Sequence, residues 1–194
     1  MVYFFLLVFA YLVGAIPTGI LLTKLTGGED LRAAGSGNIG ATNVYRTAGR
    51  KLGIITLIGD CLKGILPLLV AMQYDVAGSA LALIGFVALI GHCYPVYIGF
   101  KGGKGVATAV GVFLVLSPGA LLLVLSQFLV VLGKWRYISL ASISCAATIP
   151  VLVLAIEKSV PMFFISFFIA SLVIYRHHEN IDRLLAGTEN KFTP

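Results

Sequence analysis

Three short runs rich in glycine and polar residues interrupt an otherwise apolar chain, and their residue types suit the binding of an oxyanion. The runs read SGNIGATNVYR (36–46), KGGKGVAT (101–108) and HHENIDRLLAGTENK (177–191). Glycine permits positive φ angles and a close approach of the backbone, so that amide groups wrap around an anion. Lysine supplies a compact charge and arginine a forked donor for phosphate oxygens. The runs therefore predict phosphate chemistry.

The second run is not a nucleotide-binding loop. In GFKGGKG the spacing is one residue shorter than in a Walker loop, and Gly105 follows Lys104 where serine or threonine is required. Metal and disulfide chemistry are not indicated either, because Cys61, Cys93 and Cys145 lie in apolar stretches without a CxxC pair. The runs are rich in cations and lack the clustered carboxylates that suit magnesium. We expect a site without metal or cofactor.

The elements that position these runs are membrane helices. Of the 194 residues, 59% are apolar types and 11% are charged, and the mean hydropathy is +1.00. This leaves too little polar side chain to cover a soluble globule. The net charge of +6 is explained by basic residues that orient the chain in the membrane and attract anionic lipid headgroups. No nucleic acid partner is expected. The N-terminal segment lacks the features of a cleaved signal peptide, so we expect it to remain as a helix.

Seven apolar segments meet or approach the length of about 20 residues that a membrane span needs. They lie near residues 2–23, 53–73, 77–98, 104–116, 119–133, 138–156 and 160–176. The fourth and fifth are short, and residues 106–133 form one long helix in the alternative reading. Ser117-Pro118-Gly119 lies in the middle of that stretch, and this sequence is typical of a helix break.

The distribution of Lys and Arg favours seven spans over six. With seven, twelve of the 14 basic residues fall on one side, Lys158 falls on the other and Lys63 lies within a span. Merging the fourth and fifth spans reduces the division to eight against five. Because basic residues concentrate in the cytoplasm, we predict an all-α polytopic membrane protein with seven transmembrane helices. Its N-terminus lies outside and its C-terminus is cytoplasmic, so all three polar runs face the cytoplasm.

The three runs, taken in order, give the chain its family resemblance. It resembles the bacterial integral-membrane acyl-phosphate:glycerol-3-phosphate acyltransferases along essentially its whole length, which implies a single transmembrane acyltransferase domain over residues 1–194. The positions that match the family's motifs are Ser36, Gly37, Asn38, Asn43 and Arg46 in the first run, Lys101, Gly102, Gly103, Lys104 and Gly105 in the second, and His177, Asn180, Arg183, Gly187 and Glu189 in the third.

The resemblance implies an enzyme of the cell inner membrane that performs the first acylation of phospholipid synthesis. It would move a fatty acyl group from acyl phosphate to a hydroxyl of glycerol 3-phosphate, giving lysophosphatidate and phosphate. Its partners would be acyl phosphate, glycerol 3-phosphate and membrane lipid. Because the acyl tail must lie in lipid while both phosphates stay near water, the site would lie at the cytoplasmic membrane boundary.

In such a site, cationic and hydroxyl side chains are expected to bind the phosphates and the acyl carbonyl. We expect Lys104 and Arg46 to hold phosphate dianions. Ser36, with the amides of Gly37 and Asn38, would hold the other phosphate or the carbonyl oxygen as negative charge develops on it. A covalent role for Ser36 is disfavoured because its run supplies no base. The further substrate-binding residues expected are Asn43, Lys101, Gly102, Gly103, Gly105 and, near the inner end of the sixth span, Ser142.

His177 and Asn180 complete the expected catalytic set. His177 ends the seventh helix and either accepts the proton of the attacking hydroxyl, donates to phosphate, or leaves the proton to the departing phosphate. We predict direct attack of the glycerol hydroxyl in a ternary complex, with these groups orienting phosphates and stabilising charge. The His-x4-Asp spacing of His177 and Asp182 does not indicate a pair, because five residues on a helix place them on different faces.

Two charged residues inside the second span, Asp60 and Lys63, predict a structural ion pair, because unpaired charge in a span is costly. They also leave open an alternative function, a transporter for a small phosphorylated solute. Transporters place substrate contacts near the midplane between repeats, whereas the polar residues here crowd one face and no repeat is evident. His92, near the inner end of the third span, is a candidate for contact with phosphate or with the residues that hold it.

Overall fold

The computed structural model describes residues 1–192, and throughout this range the chain is helical with no β-strand. The prediction of an all-α protein is therefore confirmed. A single turn of 3-10 helix at Val96–Ile98 follows the fifth helix. The α-helices are α1 (Val2–Gly14), α2 (Thr18–Leu25), α3 (Ala41–Ala48), α4 (Arg50–Met72), α5 (Gly78–Cys93), α6 (Val106–Leu116), α7 (Pro118–Trp135), α8 (Ile138–Glu157), α9 (Val160–Tyr175) and α10 (His178–Leu185).

The first predicted span is broken. Helix α1 ends at Gly14, α2 begins at Thr18, and the two axes are bent by 43°. Pro17 precedes α2, and proline has no N–H with which to continue the hydrogen-bond ladder of α1. A second break follows the last apolar segment, where α9 and α10 are bent by 57°. The sequence predicted one helix through the first span and no separate helix at His178–Leu185.

The predicted break between the fourth and fifth segments is confirmed. Helix α6 ends at Leu116 and α7 begins at Pro118, with extended backbone at Ser117 between them. Proline is well tolerated in the first turn of a helix, where its missing N–H would have no helical partner. The single long helix over residues 106–133 is therefore excluded.

Four helices in the described part of the chain, α4, α5 with its following turn, α7 and α8, are long and apolar enough to cross a membrane. The two bent pairs raise this number to six, and α6 is a shorter apolar helix of 11 residues. The predicted helical membrane protein is thus present, while seven spans and the orientation of the termini stay predictions.

The described residues form two compact units, Met1–Val115 and the chain from Leu116 onward. Close packing in the first unit depends on glycines that bring helix backbones together. A Cβ atom at Gly14 of α1 would overlap the carbonyl oxygen of Ala88 in α5, and one at Gly91 of α5 would overlap that of Tyr11 in α1. Small residues of this kind are typical of packed membrane helices.

The second unit is centred on α8, which packs against both α7 and α9. Gln127 of α7 donates a hydrogen bond to Thr148 of α8 over 3.1 Å. Beyond α10, the chain returns to the turn between α7 and α8. There the amide of Phe192 donates to the carbonyl of Arg136 over 2.6 Å, and the Arg136 guanidinium donates to the Phe192 carbonyl over 3.2 Å.

Candidate active site

The first polar run forms a loop, here called the serine–glycine loop (residues 31–43), that is organised by one buried side chain. The Asn43 side chain lies within hydrogen-bond distance of the carbonyls of Leu31, Ala34 and Asn38, at 3.1, 3.0 and 2.8 Å from its Nδ2. Its Oδ1 accepts the amide of Ser36 over 2.8 Å. One amide group therefore fixes four points of the loop backbone.

Apolar contacts hold this loop against the helices on either side. Leu31, Ile39 and Val44 are almost completely buried. Gly19 of α2 faces them, and a Cβ atom there would overlap the carbonyl oxygen of Ile39. Burial of these side chains and the hydrogen bonds of Asn43 supply the energy that orders a glycine-containing segment of otherwise high conformational entropy.

The loop leaves some of its polar side chains exposed. Ser36 and Gly37 are exposed, and Gly37 has a φ of +69°. Asn38 instead accepts the amide of Gly40 over 2.9 Å, which shapes the turn leading into α3. Arg46 is exposed on α3, and neither Ser36 nor Arg46 makes a side-chain hydrogen bond or ion pair with any other residue in the range 1–192. Both side chains are therefore exposed without an internal partner in this range.

The arginine within the loop, Arg32, already has a charged partner. Arg32 forms an ion pair with Asp30 over 2.8 Å, and both side chains are about half exposed. Hydrogen bonds from Arg32 lower the pKa of Asp30 to about 2. The carboxylate already compensates the charge of Arg32, so Arg46 is the better anion ligand of the two.

The second run, here called the glycine–lysine loop (Lys101–Gly105), is bound to the end of α5. The amide of Gly102 donates to the carbonyl of Cys93 and the amide of Gly103 to the carbonyl of His92, each over 3.2 Å. A Cβ atom at Gly102 would overlap the His92 carbonyl oxygen. These two glycines are required for close packing, and their amides are directed at α5.

Other groups of this loop can face an anion. Gly105 has a φ of +82° and directly precedes α6 (Val106–Leu116). The first turn of a helix carries amides without helical acceptors and the positive end of the helix dipole. Lys101 is exposed and Lys104 is partly buried. The loop therefore presents lysine charge and the start of α6 in one short segment.

A buried charged cluster lies beside the glycine–lysine loop. Lys63 forms an ion pair with Asp60 over 2.6 Å, and both side chains are almost completely buried. The predicted ion pair is therefore confirmed. The Lys63 ammonium also lies 2.7 Å from the carbonyl oxygen of Ile16 and 3.2 Å from Nδ1 of His92.

In the second unit, the third run is organised around the carboxylate of Glu189, whose side chain is 7% exposed. Its Oε1 accepts hydrogen bonds from Ser139 over 2.8 Å and from Asn180 over 2.7 Å, and its Oε2 accepts one from Arg183 over 2.7 Å. Burial acts to raise the pKa of Glu189, but hydrogen bonds from Arg183, Asn180 and Ser139 outweigh it and lower the pKa. An ionised Glu189 thus ties the chain after α10 to α8 and α10.

His177 lies between α9 and α10 and is 3% exposed. Its Nδ1 is 2.7 Å from the carbonyl oxygen of Val173. A carbonyl only accepts, so Nδ1 carries a proton, and in the neutral ring Nε2 is the acceptor. Asp182 makes no hydrogen bond or ion pair with His177 and is exposed. The expectation that the two do not act as a pair agrees with this arrangement.

Two serines of α8, Ser139 and Ser142, are buried near the helix start. They lie three residues apart and so share a face of the helix. Ser142 donates to the carbonyl of Ile138 over 2.9 Å, which leaves its oxygen lone pairs as acceptors for another group.

The structure assembles the expected residues into separate clusters. Ser36, Asn38 and Asn43 meet within the serine–glycine loop, and Asn180 meets Glu189. Sequence reasoning did not give Glu189 a role in the site and missed Ser139 altogether. The spacing of Asn180, Arg183 and Glu189 was a usable signal, because two donors on one helix face precede a carboxylate. Within residues 1–192, no group of three or more His, Cys, Asp or Glu side chains is arranged to hold a metal ion.

Comparison with known proteins gives a consistent set of relatives. A family model described as glycerol-3-phosphate acyltransferase matches residues 4–187. The glycerol-3-phosphate acyltransferase of Syntrophotalea carbinolica is 55% identical over 191 residues, covering 98% of this chain and 97% of the relative. That of Geobacter sulfurreducens is 54% identical over 94% of each chain. That of Aquifex aeolicus is 46% identical over 97% of this chain and 98% of the relative.

Two solved structures are also similar. Both are crystal structures of PlsY (YgiH), an integral membrane glycerol 3-phosphate acyltransferase. The glycerol 3-phosphate form has a TM-score of 0.94 and 43% sequence identity, covering 100% of this chain and 96% of that one. The lysophosphatidic acid form has a TM-score of 0.92 and 42% identity, with the same coverage.

Proposed function

The chain belongs to the glycerol-3-phosphate acyltransferase family, and from this premise we propose that it transfers a fatty acyl group from acyl phosphate to a hydroxyl of glycerol 3-phosphate. The products are lysophosphatidate and inorganic phosphate. The reaction takes place at the cytoplasmic boundary of the cell inner membrane, because the acyl tail requires lipid while the two phosphates require water. We propose this orientation from the concentration of basic residues on one side of the predicted spans.

The observation that carries the proposal is the ordered serine–glycine loop. Its backbone is fixed by Asn43, while the side chains of Ser36 and Arg46 remain exposed. Such an arrangement is preorganised, because the donors are held in place before the substrate arrives. Asn43 acts through the loop backbone in this proposal and does not itself contact substrate. Ser36, Gly37 and Arg46 provide the contacts to phosphate or to the developing oxyanion.

The second proposed phosphate site uses the glycine–lysine loop. Lys104 provides the charge and Lys101 lies exposed beside it, while the start of α6 adds its positive helix end. Gly102 and Gly103 contribute by letting the loop pack on α5. We assign glycerol 3-phosphate to this loop.

The proposed chemical step is a direct transfer. The oxygen of the glycerol hydroxyl attacks the acyl carbonyl carbon, and the bond from that carbon to the phosphate oxygen breaks. His177, with Nε2 as acceptor, orients the hydroxyl. The hydroxyl proton passes through its hydrogen bond to Nε2 of His177 and on to an oxygen of the departing phosphate, which leaves as protonated inorganic phosphate. Asn180 is held by Glu189 and Ser142 has acceptor capacity, so both assist in positioning. No step of the proposed transfer uses a metal ion.

The acyl donor follows from the chemistry of the loops. Both provide contacts for phosphate, and the proposed site has no counterpart of a domain that binds the adenosine part of coenzyme A. Acyl phosphate is already activated as a mixed anhydride, so an additional acyl-enzyme intermediate on Ser36 brings little gain. We therefore propose that acyl phosphate is the working donor.

Incubation of the purified protein in detergent with acyl phosphate and glycerol 3-phosphate tests the proposal. Lysophosphatidate should form, whereas a transporter of phosphorylated solutes would form none. Initial rates measured against both substrates should give intersecting lines. Efficient turnover with acyl-CoA alone would reject the donor, and parallel lines with an acyl group trapped on Ser36 would reject direct transfer.

A further inference from the structure

The buried cluster of Asp60, Lys63 and His92 has no role in the proposed reaction so far. The three residues are 3%, 5% and 4% exposed. Asp60 and Lys63 belong to α4, and His92 lies in the last turn of α5. A buried ion pair is a weak source of stability, because removing two charges from water costs as much free energy as their attraction returns. The contacts of this cluster indicate a role in fixing the state of the His92 ring.

The ammonium group of Lys63 lies at hydrogen-bond distance from two groups, the Ile16 carbonyl oxygen at 2.7 Å and His92 Nδ1 at 3.2 Å. Its ion-pair partner, Asp60 Oδ1, lies at 2.6 Å but outside hydrogen-bond geometry. An ammonium group has no lone pair and can only donate. Nδ1 of His92 therefore carries a lone pair, and the proton of the neutral imidazole must be on Nε2.

The Nε2 edge of His92 is directed at the glycine–lysine loop. A Cβ atom built at Gly103 would overlap Nε2, which is the ring atom nearest to that position. The backbone of the same histidine accepts the amide of Gly103 over 3.2 Å. His92 therefore supports this loop through both its ring and its carbonyl group.

We propose that Lys63, held by Asp60, fixes His92 as the Nε2–H tautomer, and that His92 is thereby a positioning residue for the phosphate-binding state of the glycine–lysine loop. An N–H directed at the loop presents the positive end of a bond dipole to a phosphate monoester, whereas a lone pair there would repel it. The ligand assignment rests on the function proposed above. The tautomer does not depend on it.

A direct measurement of the tautomer is provided by the ¹⁵N chemical shifts of the imidazole nitrogens in detergent-solubilised protein. The chain has three histidines, so the His92 signals are identified by their loss in His92→Gln. At neutral pH we expect protonated Nε2 and unprotonated Nδ1 in the wild type. In the double variant Asp60→Leu with Lys63→Met, which replaces the ion pair by apolar side chains, a mixture of both tautomers should appear.

Steady-state kinetics test the consequence for substrate binding. In the double variant the KM for glycerol 3-phosphate should rise in proportion to the lost fraction of the Nε2–H tautomer, about twofold for an equal mixture, while kcat falls less. His92→Phe, which keeps a ring without a donor, removes the N–H completely, and its KM should rise further, by about tenfold, as expected for loss of a hydrogen bond involving charge. His92→Gln, which retains an N–H near the position of Nε2, should recover most of the loss.

Thr56→Val is the matched control for disturbance of α4. Thr56 is fully buried in the same helix, and its hydroxyl has no hydrogen-bond partner within residues 1–192. The KM of the Thr56→Val variant for glycerol 3-phosphate should equal that of the wild type.

Two results would overturn the proposal. One is a proton on Nδ1 of His92 in the wild type, and the other is an unchanged KM in the folded double variant. If that variant does not fold, the comparison of His92→Phe with His92→Gln decides, since equal KM values would overturn the proposal. A wild-type protein that forms no lysophosphatidate would reject the proposed function, while the ¹⁵N spectrum would still report on the tautomer.

Discussion

Two buried histidines of this chain are held in opposite hydrogen-bonding states by their neighbours. Nδ1 of His177 faces a carbonyl oxygen and must donate, whereas Nδ1 of His92 faces an ammonium group and must accept. In their neutral forms the first therefore presents an acceptor at Nε2 and the second a donor. Identical side chains thus fit the two different roles proposed for them, one the orientation of a hydroxyl and the other the support of the glycine–lysine loop.

Replacement of Lys104 by alanine tests the main cationic ligand at the residue scale. Loss of a hydrogen-bonded charge contact typically costs about 2–5 kcal/mol, so kcat/KM for glycerol 3-phosphate should fall well beyond tenfold. The measurement is the initial rate at low glycerol 3-phosphate with the folded variant in detergent. Lys51→Ala, which removes an exposed charge outside the three runs, should leave the rate unchanged. An unaffected Lys104→Ala enzyme would reject the role.

Asn43→Ala tests whether the serine–glycine loop needs its internal amide. The change leaves the amide of Ser36 and three carbonyl groups without their present partner, and each unsatisfied buried group costs about 1–3 kcal/mol. We expect lower thermal stability and a loss of activity at least as large as that of Ser36→Ala. Thr47→Val, which removes one bond to the Asn43 carbonyl, should have a small effect in the same two assays.

At the scale of elements, breaks between helices and glycine contacts between them position the polar groups. The break before Pro17 precedes α2, and Gly19 of that helix allows the serine–glycine loop to approach. The break after Tyr175 places His177 at the start of α10, which carries Asn180. Polar backbone can leave a helix near the membrane only where water or protein satisfies it, and the ordered loops meet that requirement.

Gly91→Ala tests the close contact between α1 and α5. The new methyl group would overlap backbone atoms of α1, and overpacking of this kind typically costs about 1–3 kcal/mol. The temperature of half-unfolding in detergent should therefore fall. Gly133→Ala is the control, because a Cβ atom there has no neighbour within 4 Å and alanine favours a helix over glycine by about 0.5–1 kcal/mol. A stability of Gly91→Ala equal to that of the wild type would contradict the packing argument.

The pH dependence of stability tests the carboxylate of Glu189. Its pKa is lowered in the folded protein from the ordinary value of 4.5, so its contribution is complete above that pH and is lost as the pH falls through the folded pKa. The difference in thermal stability between the wild type and Glu189→Gln should shrink below pH 4.5. Glu179→Gln, an exposed change on α10, should show no such convergence. A constant difference down to pH 3 would indicate that ionisation of Glu189 does not stabilise the fold.

For the whole molecule, composition and charge dictate the environment. With 59% apolar residue types, the chain exposes many large apolar side chains on its helices, among them Phe164, Phe167, Leu129 and Val130. Such a surface is stable in lipid and would be unfavourable in water. The basic residues determine the predicted orientation in that lipid.

Reporter fusions test this orientation. A reporter attached after Pro194 should be active in the cytoplasm, and one at the N-terminus should lie outside, because twelve basic residues fall on the predicted cytoplasmic side. Activity of paired reporters that function on opposite sides of the membrane provides the measurement. A C-terminus found outside would remove the third run from the cytoplasmic face and exclude the proposed site.

The sequence alone determined the features that depend on local composition. The apolar segments predicted an all-α membrane protein, and Ser117-Pro118-Gly119 predicted the break between α6 and α7, since this cluster joins a proline, which lacks an N–H for the helix ladder, to a glycine of high conformational entropy. The three polar runs were sufficient to predict phosphate chemistry and the family. Pro17 carries a similar signal, but it lies within an apolar stretch long enough to be predicted as one span.

Only the tertiary structure decided which polar group each donor meets. Ser139 and Glu189 are separated by 50 residues, Ile16 and Lys63 by 47, and Lys63 and His92 by 29. The amides of Gly102 and Gly103 turned out to bind carbonyls of α5, although their sequence suggested an anion. Hydrogen bonds act over about 3 Å, and sequence periodicity carries no information on which distant groups packing brings within that distance.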